Sequence, residues 1–166
     1  AFDLGLSMGA NGIETDIQLT KDGVAVLFHD DTLARMTGKP GSVADYTYEE
    51  LRWFWVEKGI LKDRIPTLKD FLDKYADKDI TFALEMKKPG THKNVADAVR
   101  SHGIAAKTVV TSFKWEELLA LRDYAPELTA GYLTKNIDDT TLQKMRQAGV
   151  DELCPKADEI TAEKVI

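Results

Sequence analysis

Apolar and polar residues alternate along this chain with two different periods, and the two periods take turns. A period of two runs through residues 12–20 and 24–29, then 80–87, 107–113, 128–133 and 150–154, and each stretch reads as a β-strand. Helical spacing fills most of the gaps, at residues 48–54, 67–75, 93–102, 115–124 and 138–147. Pro66-Thr67 announces the second of these helices, and Gly103 and Gly149 close the third and the last. Such alternation predicts an α/β fold, either a parallel sheet or a barrel. Phe2, Leu6 and Ala10, with Leu4 and Met8 nearby, are also spaced for a helix, and Thr161 reads as the N-cap of another running to residue 166. A helix with no cap before it and a helix start with fewer than two turns left lead us to expect a partial domain. Residues 30–65 are the least regular stretch. They hold Gly38, Pro40, Gly41 and Gly59, together with Trp53, Phe54 and Trp55, an aromatic cluster that reads as core packing or a lid. With no internal repeat and no linker, residues 1–166 read as one domain.

Two strands have an uneven distribution of chemistry. In residues 13–19 the side chains of Ile13, Thr15, Ile17 and Leu19 point one way, and those of Glu14, Asp16 and Gln18 the other. In residues 80–87 the apolar set is Ile80, Phe82, Leu84 and Met86, opposite Thr81, Ala83, Glu85 and Lys87. A half-solvated antiparallel sheet would show the same alternation. In a barrel, by contrast, helices cover the apolar face and the carboxylates point inward, where like charges need a cation or a base between them. Glu14, Asp16 and Glu85 offer hard oxygen ligands that suit Mg²⁺ or Ca²⁺ rather than a soft metal. Lys87 is either a salt-bridge partner of Glu85 or a cation for a substrate phosphate. Lys21-Asp22-Gly23 is a turn signal that folds His29 back beside Asp16, and a histidine near three carboxylates is a candidate general acid–base. His92 and His102 receive no role, and Ser112 reads as lining a site.

Composition narrows the picture. The 166 residues are 43% hydrophobic and 30% charged, an ordinary globular mixture, but they are few for a closed eight-stranded barrel, which takes about 250. A net charge of −6 argues against general binding of nucleic acid or anionic membranes. No apolar run approaches the ~20 residues of a membrane span. The single cysteine, Cys154, excludes an intrachain disulfide framework and a thiolate zinc cluster. It leaves the compartment open, with a cytoplasmic location expected over a secreted or periplasmic one; oligomeric state is open too. There is no glycine-rich phosphate loop and no Gly-x-Ser-x-Gly nucleophile elbow.

Residues 9–23, with Glu14-Thr15-Asp16, followed by residues 24–30 ending in His29-Asp30 and by residues 32–38, resemble the glycerophosphodiester phosphodiesterase family. Ile65-Pro66-Thr67-Leu68, Leu84-Glu85-Met86-Lys87 and Thr111-Ser112-Phe113 resemble its later blocks. The resemblance implies a TIM (β/α)₈ barrel of the phospholipase-C-like phosphodiesterase type, of which this chain would hold about strands two to seven, with residues 30–65 as an inserted cap. It implies that Glu14, Asp16 and Glu85 bind a divalent metal, that His29 is one of two catalytic histidines, and that Lys87 helps hold the substrate phosphate. The implied reaction is hydrolysis of a glycerophosphodiester to glycerol 3-phosphate and an alcohol. Asp31 and Ala34 depart from the family pattern, away from the expected chemistry. The family's His-Arg-Gly strand, with its second histidine and a phosphate-binding arginine, is not in these residues, so the isolated chain is expected to be weak or inactive. The alternatives are a lysophospholipase D-type enzyme, with the tryptophans contacting an acyl chain, and a non-catalytic fragment or binding module.

Overall fold

The computed structural model describes residues 1–157 and Ile160, with backbone alone at Lys58 and Leu61; the helix start expected at Thr161 lies outside the described residues. The chain runs α1 (Phe2–Ser7), β1 (Gly12–Leu19), β2 (Ala25–Leu27), α2 (Ala34–Thr37), α3 (Tyr48–Leu51), β3 (Trp55–Lys58), β4 (Leu61–Arg64), α4 (Leu68–Tyr75), β5 (Thr81–Met86), α5 (His92–Ser101), β6 (Thr108–Ser112), α6 (Trp115–Tyr124), β7 (Thr129–Thr134), α7 (Asp139–Ala148) and β8 (Glu152–Pro155). Six strands form one sheet in the order β2-β1-β5-β6-β7-β8. All neighbours run parallel except β2, which pairs antiparallel with β1 across the turn at residues 21–23.

Register explains how the sheet assembles a site. Asp16 pairs with Glu85, Glu85 with Thr111, Thr111 with Gly131, and Gly131 with Glu152. Partners in a parallel ladder share a face, so this row lies on the side away from the helices. The opposite face holds Ile13, Ile17, Phe82, Leu84, Met86, Val110 and Ala130, packed on α4–α7 in the main core. Helix α4 shows the fit: Thr67 caps it by accepting from the Asp70 N–H at 2.9 Å, and Leu68, Phe71, Leu72 and Tyr75 form one buried stripe. Each of those side chains contributes roughly 2 kcal/mol by leaving water. On the inner face Gly131 is tightly surrounded: a Cβ there would meet Cys154 Sγ and Thr111 Cγ2 at 3.0 Å, so those side chains would have to shift by a few tenths of an ångström.

Residues 24–65 differ from the sequence reading. The helix expected over 48–54 is a single turn, α3, closed by a Thr47–Glu50 capping box. The chain then enters a β3–β4 hairpin that turns at Gly59, whose φ is +63°. A smaller core lies beneath, made of Val26, Phe28, Leu33, Val43, Leu51 and Ile65. Of the aromatic cluster only Phe54 packs inward, edge-on to Tyr46 at 5.1 Å; Trp53 and Trp55 are 63% and 46% exposed, with the Arg64 guanidinium stacked on Trp55 at 3.4 Å. The core-packing expectation therefore fails for both tryptophans.

The loop after β5 is held from α6. The buried Glu117 carboxylate accepts the N–H groups of Gly90, Thr91 and His92 at 2.7, 3.1 and 3.2 Å, which seats the start of α5. Glu117→Ala strands those donors and should cost about 2–3 kcal/mol in urea unfolding, with unchanged far-UV circular dichroism in the absence of denaturant.

Candidate functional site

On one face of the adjacent strands β1 and β5, Glu14, Asp16 and Glu85 each place a carboxylate oxygen within 4.8 Å of the others, the only such group of three or more potential ligands among the described residues. Glu85 is buried, Asp16 half-buried and Glu14 open to solvent. The Glu14 carboxyl is pushed above the ordinary carboxylate range, first by desolvation among the strands, then by the negative charges of Asp16 and Glu85. Lys87 answers part of that charge: its ammonium lies 3.0 Å from Asp16 Oδ1 and 2.9 Å from Glu85 Oε1. Burial works against the Lys87 charge, but hydrogen bonds to Glu85 and Asp16 outweigh it and hold its pKa above the lysine value. The expected salt bridge to Glu85 is thus half of what Lys87 does. Three hard carboxylates facing one ammonium leave a surplus of negative charge, and that donor set fits a divalent cation.

Beside this cluster is a cavity of about 550 Å³ whose lining includes His29, Asp30, Asp31, Arg35, Glu85 and Lys87, together with Lys88, Phe113 and Lys114. Its one large exposed apolar side chain is Phe113, which is half-exposed. His29 reaches it as the turn signal implies, from just beyond β2. The backbone there is pinned from β1: Phe28 N–H donates to Asp16 O at 3.0 Å, and the buried Gln18 amide donates to the carbonyls of Phe28 and Asp30, each at 2.8 Å. The His29 ring is exposed, and its Nδ1 lies 2.9 Å from Asp30 Oδ1. A protonated His29 is near enough to lower the Glu14 pKa.

Several residues behave otherwise than expected. Ser112 is fully buried and lines nothing: its hydroxyl donates to Met86 O at 2.7 Å and accepts from Lys114 N–H at 3.0 Å, bracing the end of β5. Asp31 is part of the cavity wall and ion-pairs with Lys88, so its departure from the family pattern does fall at the site. Asp30, Arg35 and Gln18 were given no role from sequence. The available signal was Gln18, a polar residue on the same face as Glu14 and Asp16. His92 and His102 are structural, beside Glu117 and Asp73.

The glycerophosphoryl diester phosphodiesterase family model matches residues 1–165. A glycerophosphodiester phosphodiesterase of Caldanaerobacter subterraneus is 34% identical over 144 residues, covering 80% of this chain and 58% of that protein. The chain spans about three-fifths of the length of the curated relatives it matches. Among solved structures, a candidate glycerophosphoryl diester phosphodiesterase from Silicibacter pomeroyi superposes with a TM-score of 0.85 at 27% identity, covering 99% of this chain and 71% of that one. A phosphodiesterase of Oleispira antarctica, in complex with the product sn-glycerol-3-phosphate, superposes with a TM-score of 0.78 at 21% identity, covering 98% of this chain and 70% of that one. The sheet is therefore of the TIM-barrel type that the sequence implied.

Proposed function

The chain belongs to the glycerophosphoryl diester phosphodiesterase family, and on that basis we propose that the protein hydrolyses glycerophosphodiesters to glycerol 3-phosphate and an alcohol with the help of a divalent cation. The observation that carries this reading is the set of three carboxylates opening beside a charged cavity that also holds His29 and Lys87. Glu14, Asp16 and Glu85 would hold the cation, Mg²⁺ or Ca²⁺. When bound, the cation would supply positive charge to the phosphate and acidify the attacking oxygen, which is either water or the glycerol 2-hydroxyl with water opening the resulting cyclic diester. Lys87 offers its ammonium to a phosphate oxygen, and His29 delivers a proton to the leaving alcohol. Residues 30–65 act as the cap, contributing Asp31 and Arg35 to the cavity wall. The product-bound Oleispira antarctica structure supports the substrate class.

The polar character of the cavity favours a deacylated diester over a lysophospholipid. Trp53 and Trp55 lie outside its lining and are stacked with arginine. The full-length protein is expected to release glycerol 3-phosphate from glycerophosphocholine, to stop when the cation is chelated, and to turn over a lysophospholipid in mixed micelles far more slowly, with the isolated 166-residue chain weak or inactive in the same assay. Turnover that survives chelation would refute the metal assignment. Metal binding without turnover would identify a binding module. The chain contains no helix, among the described residues, long and apolar enough to cross a membrane. We propose a cytoplasmic location, testable by fractionation.

A further inference from the structure

Asp30 follows His29 directly, yet its side chain turns back to the imidazole. Oδ1 lies 2.9 Å from His29 Nδ1 and accepts from Arg35 Nη2 at 2.7 Å, while Oδ2 accepts from Arg35 Nε at 2.6 Å. The Asp30 side chain is 15% exposed, against 70% for His29 and 67% for Arg35. A mostly buried carboxylate is thus clamped by two charge-assisted bonds from a planar guanidinium, which fixes its orientation as a lysine could not. Those bonds, Arg35 first and then His29, lower the Asp30 pKa to about 2, so the group is an acceptor and never a donor at neutral pH. An acceptor beside Nδ1 requires the proton to be on Nδ1, and the bond made by one ring nitrogen decides the state of the other. The backbone of this segment is independently held by Gln18.

We propose that Asp30 and Arg35 are positioning residues for His29: Asp30 accepts from Nδ1–H in both the imidazolium and the neutral ring and aims the ring, so that Nε2 carries the proton that the imidazolium gives to the leaving alcohol and is the bare nitrogen of the neutral Nδ1–H tautomer left behind, and Arg35 keeps Asp30 in place. The kinetic part rests on His29 being the proton-transfer group; the tautomer part does not.

Two measurements on the protein separate these parts. Long-range ¹H–¹⁵N NMR, recorded where His29 is neutral, is expected to show a protonated Nδ1 and an unprotonated Nε2, with the balance moving toward Nε2–H in Asp30→Ala. A wild-type Nε2–H tautomer would overturn the proposal whether or not the protein is active. In glycerophosphocholine turnover, Asp30→Ala should lower kcat by about tenfold to a hundredfold with a smaller change in KM, as supporting partners of this kind do. Arg35→Gln should have a smaller effect in the same direction, and Arg35→Lys should recover part of it. In a His29→Ala background, Asp30→Ala should cost nothing further. An equal loss in both backgrounds would show that Asp30 acts elsewhere and would overturn the proposal. If His29→Ala itself leaves turnover intact, the functional reading of His29 fails, and the NMR result still decides the tautomer.

Discussion

Glu85→Gln should abolish divalent-cation binding and, with it, phosphodiester hydrolysis. Glu85 is the most buried of the three carboxylates, 7% exposed, and it pairs in register with Asp16, so its oxygens are the best-placed donors in the cluster. The amide is nearly isosteric but carries no charge. Calorimetric titration with Mg²⁺ or Ca²⁺ should lose its signal, and turnover should fall by roughly three decades, the rate equivalent of several kcal/mol of transition-state charge stabilisation. The variant should still fold. Glu14 loses one of the two negative neighbours that push its carboxyl upward, and Lys87 keeps Asp16. Retained metal affinity in a folded variant would mean that the cation, if there is one, binds elsewhere.

Lys87→Met should lower stability about as much as Glu117→Ala, and in a way that the cation can reverse. Without the ammonium, three carboxylates share a partly dry pocket, and Asp16 and Glu85 lose the one ion-pair partner each has among the described residues. Breaking one side of such a network should cost about 2–3 kcal/mol, discounted for the part that water reaches. The sign of the pH dependence follows from the raised Lys87 pKa. Its contribution is complete below the ordinary lysine value and is lost only as pH rises through the elevated one, so wild type and variant should differ fully up to about pH 10 and converge only at pH values above the elevated pKa. Added Mg²⁺ or Ca²⁺ should restore much of the lost stability by mass action, more than it adds to wild type. Thermal melts with and without the cation measure both effects. Absence of rescue would argue that the three carboxylates do not act as one ligand set.

The strands and the main helices were legible in sequence because each buries one face, and a one-sided pattern survives in the order of residues. The same logic put Glu14, Asp16 and Glu85 on a common face, and the structure brings them together. Where the pattern is short, it fails. Strands β3 and β4 have four residues each around a Gly59-Ile60 turn, and most of the described side chains on them face water, so no alternation marks them. Trp53 and Trp55 looked like core because tryptophan usually is, but stacking on arginine lets a large ring stay at the surface. Ser112 and Gln18 illustrate a different limit. A polar residue at a strand end can either face a ligand or brace a neighbouring carbonyl, and only the distances of 2.7 and 2.8 Å tell the two apart. Asp30 lies in the loop before the single-turn helix α2 and Arg35 lies within that helix, so no period connects them.

The small core of residues 24–65 also bears on how the protein reaches its native state. Strands β1 and β5 are adjacent in the sheet, yet the whole of this segment and α4 separate them along the chain. Parallel pairing at such separation carries a loop-closure penalty that must be met before any contact compensates for it. The ends of the small core are tied to each other: Leu27 N–H donates to Pro66 O at 3.0 Å, and Val26 bridges to Thr67. Once that knot has formed, the span left to close is much shorter. Early collapse of Val26, Leu33, Val43, Leu51 and Ile65 would therefore act as a shortcut that delivers Asp16 to Glu85, and the rate at which cation affinity appears during refolding should follow the formation of that knot rather than of the helices.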